Sequence, residues 1–276
     1  MEKLLENEKI EITLLLEAIF LKYGYDFRNY SMAHVRRRIR RRMELGGFES
    51  ISALQYQVIY DDSFFLIILM DLSINATKMF RDPSFFLAVR REVVPFLVTY
   101  PFVKVWHAGC ATGEELYSMA ILLKEEGLFD RVQFYATDFN DVVLQKAKEG
   151  IVQAKLLKEY TENYQMGGGC HSFADYYTAK YERAILNSSL KEKVLFANHN
   201  LVTDQVFGEM QLIVCRNVLI YFSRELQNRV IRLFYESLCR GGILCLGSKE
   251  SIRFSDLSDK FEQLLPSEQI YRKKYG

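Results

Sequence analysis

Long apolar runs are missing from this 276-residue chain. The longest, Phe64 to Met70, is far short of a membrane span, so no membrane insertion is expected. The opening residues, MEKLLENEKIE, are acidic and lack a secretory signal pattern, which leads to the expectation of a cytoplasmic protein. The five cysteines (Cys110, Cys170, Cys215, Cys239 and Cys245) are odd in number and never stand as CxxC or CxxxC. Neither a disulfide framework nor a zinc site follows, and they read mostly as small buried hydrophobes. His34, His107, His171 and His199 fit no metal-ligand spacing, so no metal is expected. Charge of one sign is lacking too. Lys and Arg total 36 against 35 Asp and Glu, a net charge of +1, so no whole-molecule attraction to nucleic acid or acidic membrane exists and recognition by charge must be local.

What is present divides the chain. Its length suits one large domain or a large and a small one. Ile10, Leu14, Leu15, Ile19 and Leu21 recur at mostly helical spacing over residues 9–23, with Gly24 as a C-cap. A second helix is expected from Ser31 to Gly46-Gly47. Ser50, Asp61-Asp62-Ser63 and Asp82-Pro83 open three more. Residues 1–75 therefore read as an N-terminal helical domain and 76–100 as a linker helix.

After Pro101 the rhythm changes. Strand-like runs at 102–107, 132–137, 194–198, 211–215 and 242–247 alternate with helical patterns at 113–126, 140–149 and 224–239. Such alternation implies a doubly wound, mostly parallel sheet covered on both faces, over residues 101–276. Residues 151–193, with Gly167-Gly168-Gly169 and several tyrosines, interrupt it as an inserted, small antiparallel subdomain.

In such a sheet the ligand lies beyond the carboxyl ends of the strands, and the first strand-turn-helix, Val103 to Ala120, forms the floor of its site. The turn has neither GxGxxG nor GxxxxGK[ST] spacing. Glu114 and Glu115 occupy the helix amino terminus where a pyrophosphate would otherwise sit, so a diphosphate cofactor is disfavoured. Taken alone, the two acids equally serve to complement the helix dipole. Asp138 ends the next strand, where an acid accepts ribose hydroxyls, although it also suits a helix N-cap. Together these features suggest a nucleoside cofactor without phosphates, and S-adenosylmethionine fits.

The segments NATKMFRD (Asn75 to Asp82), WHAGCATGEELYSMA, ATDFNDVVLQKAKEGI, NHNL, CRNVLIYF and GGILCLGSKES, taken in order, resemble the CheR-type chemotaxis receptor methyltransferases over about residues 30–275. The resemblance implies a class I methyltransferase-like fold and transfer of a methyl group from S-adenosylmethionine to receptor glutamates, leaving S-adenosylhomocysteine. It assigns Asn75, Thr77, Arg81, Glu115, Asp138, Asn200, Leu201, Cys215, Arg216 and Asn217 to the cofactor, and Tyr221 to the side of the transferable methyl. Arg81 also becomes the candidate for orienting a carboxylate. The chain departs from the usual pattern at Met79, His107 and Leu116.

The run HVRRRIRRR holds six arginines. On a helix Met32, Val35, Ile39 and Met43 form an apolar seam while His34, Arg37, Arg38 and Arg41 point outward. A charge run is usually a solvated face. With the resemblance it implies a docking strip for the cytoplasmic helical region of chemotaxis receptors, approached by a monomer. A non-catalytic S-adenosylmethionine-binding signalling partner is the alternative. A nucleic-acid methyltransferase ranks third, because no Asn-Pro-Pro-Tyr is present and no nucleic-acid partner is expected.

Overall fold

The computed structural model describes residues 2–73 and 77–275, with side chains from residue 6 onward. Two compact units form. One comprises Met1–Ile74 with Ile220–Arg229, the other Asn75–Leu219 with Val230–Gly276.

The first unit holds α1 (Glu2–Tyr23), α2 (Met32–Gly46), α3 (Ile51–Tyr60) and α4 (Asp62–Leu72). Their ends follow local chemistry. Ser50 Oγ accepts from Ala53 N, Asp61 accepts from Ser63 N and Phe64 N, and Gly24 and Gly47 take positive φ at the C-termini. The buried stripe of α1 is Ile12, Leu15, Leu16 and Ile19. Ile10, Leu14 and Leu21, which share that helical spacing, are 53–75% exposed. In the unbroken run Leu14-Leu15-Leu16 periodicity cannot choose a face; packing does. The seam of α2 is as expected at Val35 and Ile39, which are buried. Three further arginines make ion pairs within the unit: Arg36 and the exposed Arg40 with Glu8 of α1, and Arg42 with Asp71 of α4.

The second unit opens with a helical stretch, α5 (Pro83–Ala88), a π-helical turn (Val89–Val93) and α6 (Val94–Val98). Then come β1 (Val103–Ala108), α7 (Glu114–Glu125), β2 (Val132–Asp138) and α8 (Asp141–Glu149). The insertion contributes β3 (Ile151–Gln153), α9 (Leu157–Met166), β4 (Tyr177–Lys180) and β5 (Arg183–Leu186). The chain closes with β6 (Val194–Asn198), β7 (Met210–Cys215), α10 (Arg224–Ser237), β8 (Leu238–Leu246), β9 (Phe261–Leu265) and β10 (Ile270–Lys273). Seven strands form one sheet in the order β6-β2-β1-β7-β8-β10-β9, and β3-β5-β4 form a small antiparallel one. The first five strands of the large sheet are parallel; of β9 and β10, which no sequence pattern announced, β10 runs antiparallel to both β8 and β9. This is the mostly parallel sheet of class I methyltransferases. Strand order reverses between β1 and β7, so the crevice at their carboxyl ends is the place for a ligand.

One face of β1 carries Val103 and Val105 into a core with α7 residues such as Leu116, Met119 and Leu123. Trp106 faces the other way and donates Nε1–H to Thr137 Oγ1 at 2.8 Å beside Phe207 and Phe234. All five cysteines are free, and only Cys170 is exposed. Among the described residues no helix is long and apolar enough to cross a membrane.

A buried carboxylate anchors the insertion. Glu125, at the end of α7 and with its side chain 1% exposed, accepts from the hydroxyls of Tyr164 and Tyr176 and pairs with Arg90 of the π-helical turn. Gly169 passes over the Tyr164 ring so closely that a Cβ there would lie 2.2 Å from it. Removing one member of a buried charged network leaves the others desolvated and unpaired. Glu125→Ala is expected to destabilise the protein by about 3 to 5 kcal/mol in urea unfolding. A loss below about 1 kcal/mol would show that apolar packing alone attaches the insertion.

Candidate active site

The turn after β1 is clamped to the end of β2 by main-chain bonds. Gly109 N and Cys110 N both donate to Thr137 O at 2.9 Å, and Ala111 N donates to Asp138 Oδ2 at 3.0 Å. Gly109 has φ +77°, and a Cβ there would meet Val218 Cγ2 at 2.8 Å, so the turn lies against the segment that follows β7. Asp138 Oδ1 accepts from Asn140 N at 3.0 Å, while Asn140 caps α8 through Val142 N. Asp138 is thus released from capping. Asp138 is only 7% exposed, and burial pushes its carboxyl up to about 6 against the pull of the Asn140, Ala111 and Phe139 N–H groups.

The two acids at the start of α7 separate in the fold. Glu114 accepts from Thr112 Oγ1 at 2.6 Å, and burial raises its carboxyl. Glu115 enters a charge cluster. Its Oε2 lies 2.9 Å from Arg216 Nη1 and its Oε1 3.6 Å from His107 Nδ1. Burial works against its ionisation, but His107 and Arg216 outweigh that and hold it below the usual carboxylate range. Arg216 also donates to Asp82 Oδ2 at 2.8 Å and to Arg81 O at 3.4 Å, and its guanidinium lies 3.9 Å from the Phe85 ring centroid. Asp82 stands at the N-cap position of α5, yet its φ of +55° and its ion pair with Arg216 leave it making no side-chain cap. The expectation that it caps that helix is corrected accordingly.

Glu250 was not singled out, although it lies in the quoted GSKES. Its carboxylate is 4% exposed and accepts from Asn217 N, Val218 N and Gly247 N at 2.6–3.0 Å. Asn217, with φ +61°, is held in a left-handed conformation by those bonds. Asn200 turns the chain after β6 through Val202 N, Leu201 is buried, and His199 N donates to Asp138 O.

The assigned residues therefore fall into three groups. Asp138, Cys215, Arg216, Asn217, Asn200 and Leu201 belong to the carboxyl ends of strands or the loops after them in the second unit, Glu115 to the start of α7, and Arg81 to the stretch before α5, with Cys215 fully buried and Thr77 half-buried near Arg81 in sequence. Tyr221 belongs to the first unit, where its carbonyl accepts from Ser31 N and its ring packs edge-on against His34. Asn75 lies outside the described residues. Of the outward arginines, Arg37 and Arg41 are exposed as expected, but Arg38 is half-buried and its Nε is enclosed, which corrects the expectation for that residue. One grouping of metal-type ligand atoms, Glu125, Cys170 and His171 within 4.8 Å, escaped a reading based on spacing. Glu125 is already engaged by Arg90 and two tyrosines, so that grouping is a hydrogen-bonded anchor.

Residues 75–269 match the family described as CheR methyltransferase, SAM binding domain, and residues 10–72 its all-alpha domain. A Pseudomonas putida protein provisionally named methyltransferase Cher3 is 55% identical over 267 residues, covering 97% of this chain and 98% of that one. A Listeria monocytogenes chemotaxis protein methyltransferase is 30% identical over 240 residues, 83% of this chain and 85% of its own. Vibrio cholerae chemotaxis protein methyltransferase 2 is 28% identical over 247 residues, 84% and 82% respectively.

The raised Asp138 has a definite sign in stability. A carboxyl whose folded value lies above its ordinary 3.8 contributes stability that is complete below about 4 and is lost as pH rises through about 6. Relative to Asp138→Asn, the ligand-free wild type is expected to lose on the order of 2 to 3 kcal/mol between pH 4 and 7.5. Urea unfolding of both proteins at the two pH values measures this, and parallel pH profiles would show that Asp138 ionises normally.

Proposed function

The chain belongs to the CheR methyltransferase family and carries its S-adenosylmethionine-binding domain, and on that premise we propose that it esterifies glutamate side chains of chemotaxis receptors. The observation that carries the reading is the enclosed carboxyl of Asp138 at the end of β2 together with the half-buried carboxylate of Glu115 at the amino terminus of α7, just beyond β1. That donor set fits the cofactor. It offers an acceptor for ribose hydroxyls and an anion for the ammonium of the methionine part, and it repels a diphosphate. Bound there, S-adenosylmethionine supplies an electrophilic methyl group on a sulfonium and leaves as S-adenosylhomocysteine.

The protein's own residues have to bind, orient and exclude water. In this reading Asp138 holds the ribose and Glu115 the ammonium. Asn200, Leu201, Cys215, Asn217, Thr77 and Asn75 line the rest of the cofactor, with Arg216 acting chiefly by keeping Glu115 ionised and fixed. Arg81 orients a carboxylate, and Tyr221 is assigned to the methyl side. A substrate glutamate is ionised at neutral pH, with an ordinary pKa of about 4.3, so its oxygen attacks without a general base. Alignment at about 3 Å then carries much of the catalysis. Family membership favours turnover over the non-catalytic alternative.

Receptor capture is assigned to α2. Arg36, Arg40 and Arg42 are committed to Glu8 and Asp71, which leaves Arg37 and Arg41 as exposed guanidinium groups suited to acidic helices. Arg38 is retained in the proposed strip only at its edge. The proposed compartment is the cytoplasm, where the helical region of the receptors lies, and the proposed active species is a monomer.

Asp138→Ala and Glu115→Gln are each expected to weaken S-adenosylhomocysteine binding by about 1.5 to 3 kcal/mol in calorimetric titration. Unchanged affinity in both would remove the two acids from the site. Incubation with methyl-labelled S-adenosylmethionine and receptor cytoplasmic fragments should place base-labile label on glutamates; label on RNA or DNA instead would overturn the substrate class. Arg37→Glu with Arg41→Glu should lower kcat/KM for receptor fragments at least tenfold, about 1.4 kcal/mol, with cofactor affinity and Tm unchanged. A double variant that methylates at the wild-type rate would reduce the strip to a solvated surface.

A further inference from the structure

Ser118 is a fully buried hydroxyl on α7 to which the reaction above gives no task. It donates its proton to Glu114 O at 2.7 Å, one turn earlier on the same helix, so the lone pairs of its oxygen are left to accept. What they accept is the main-chain N–H of Phe80, with N and Oγ 2.8 Å apart, and Met79 Sδ lies 3.8 Å from the same oxygen.

The segment that Ser118 reaches is strained. Phe80 and Asp82 have φ of +50° and +55°, left-handed conformations that residues other than glycine rarely adopt, and they flank Arg81. Such conformations persist only where the surroundings over-determine them. On the carboxyl side Arg216 does so, donating to Arg81 O at 3.4 Å and pairing with Asp82. On the amino side the Phe80 ring is buried against Phe86, Tyr164 and Phe173. There Asn163 of α9 also donates from Nδ2 to Met79 O at 3.3 Å. Met79 O and Phe80 N–H belong to one rigid peptide plane, so Asn163 and Ser118 grip that plane by its two edges. The Ser118 bond is the shorter and stronger of the two.

We propose that Ser118 is a positioning residue for Arg81. By fixing the Met79–Phe80 peptide plane it sets the direction in which Arg81 leaves the main chain, and with it the place where the guanidinium meets a carboxylate. This role builds on the reading that Arg81 orients a carboxylate. Without the hydroxyl the Phe80 N–H is buried and has lost its acceptor, and the plane turns to relieve both that loss and the positive φ. Arg81 then samples several directions, and the alignment that transfer needs is lost with it.

Ser118→Ala removes one oxygen from a helix that alanine favours, so the fold should survive. In hydrogen exchange resolved by residue, the wild-type Phe80 amide should be protected. Ser118→Ala should speed its exchange at least tenfold while the amides of β1 and β2 keep their protection. kcat/KM for receptor fragments should fall at least tenfold. Affinity for 5'-methylthioadenosine, which carries the ribose but no carboxylate, should stay within about twofold of the wild type. In an Arg81→Ala background the same substitution should cost less than about twofold more, because the side chain it positions is gone. A wild-type Phe80 amide that exchanges like an exposed one overturns the proposal with neither variant nor substrate. So does an unaltered kcat/KM in Ser118→Ala, or a full further tenfold loss on top of Arg81→Ala. A methylthioadenosine affinity that falls as far as the rate overturns it too, by marking Ser118 as a support of the fold alone. Failure of the underlying reading looks different: Arg81→Ala by itself would then leave kcat/KM unaltered.

Discussion

The ion pair between Arg216 and Glu115 is the constraint on which the site depends. Arg216 has a side chain only 2% exposed, and Glu115 lies at the foot of α7. Neither charge could be left in that place without the other, because desolvating an unpaired ion costs several kcal/mol. The pair therefore fixes the end of β7 against the start of α7. Asp82 and the Phe85 face complete the surroundings of the guanidinium and draw the start of α5 to the same point. Three segments distant in sequence are held together by one buried cation.

Around that cluster the main chain is shaped by carboxylates acting as acceptors. Asp138 takes Ala111 N and Asn140 N, and Glu250 takes three N–H groups that include Asn217 and Val218. Tight turns with positive φ at Ala111 and Asn217 leave N–H groups that no helix or strand satisfies. Buried acids satisfy them. The same arrangement keeps Asp138 enclosed and hard to ionise, while Glu115, beside Arg216 and His107, is held below the usual carboxylate range. Two carboxyls in one site thus differ in character because of what surrounds each.

The arginine-rich helix shows how charge is divided by packing. Arg36, Arg40 and Arg42 bind the acids of neighbouring helices and belong to the architecture of the first unit, while Arg37 and Arg41 remain on the surface. A similar division holds in the insertion. There Glu125, which in sequence is one more acid near the end of an exposed-looking helix, becomes the acceptor that ties two tyrosines and Arg90 together.

The sequence by itself determined what depends on near neighbours. Ser50, Asp61, Gly24 and Gly47 end helices through bonds spanning a few residues, and the alternation of strand and helix patterns after Pro101 dictates a parallel sheet. Asp138 was legible as the acid that ends the second strand because that place is set by topology alone. Motif order then marked the family over most of the chain. Tertiary structure decided the rest. It chose Glu115 over Glu114 for the charge cluster, joined Glu115 to a cation 101 residues away, turned Arg38 partly inward, and selected Ile12 and Leu16 rather than Ile10 and Leu14 for the core. It also turned His107 from a departure in a motif into the neighbour of the proposed ammonium-binding acid. These outcomes depend on which surfaces are desolvated together, and desolvation is a property of the assembled layers that no local pattern of residues contains.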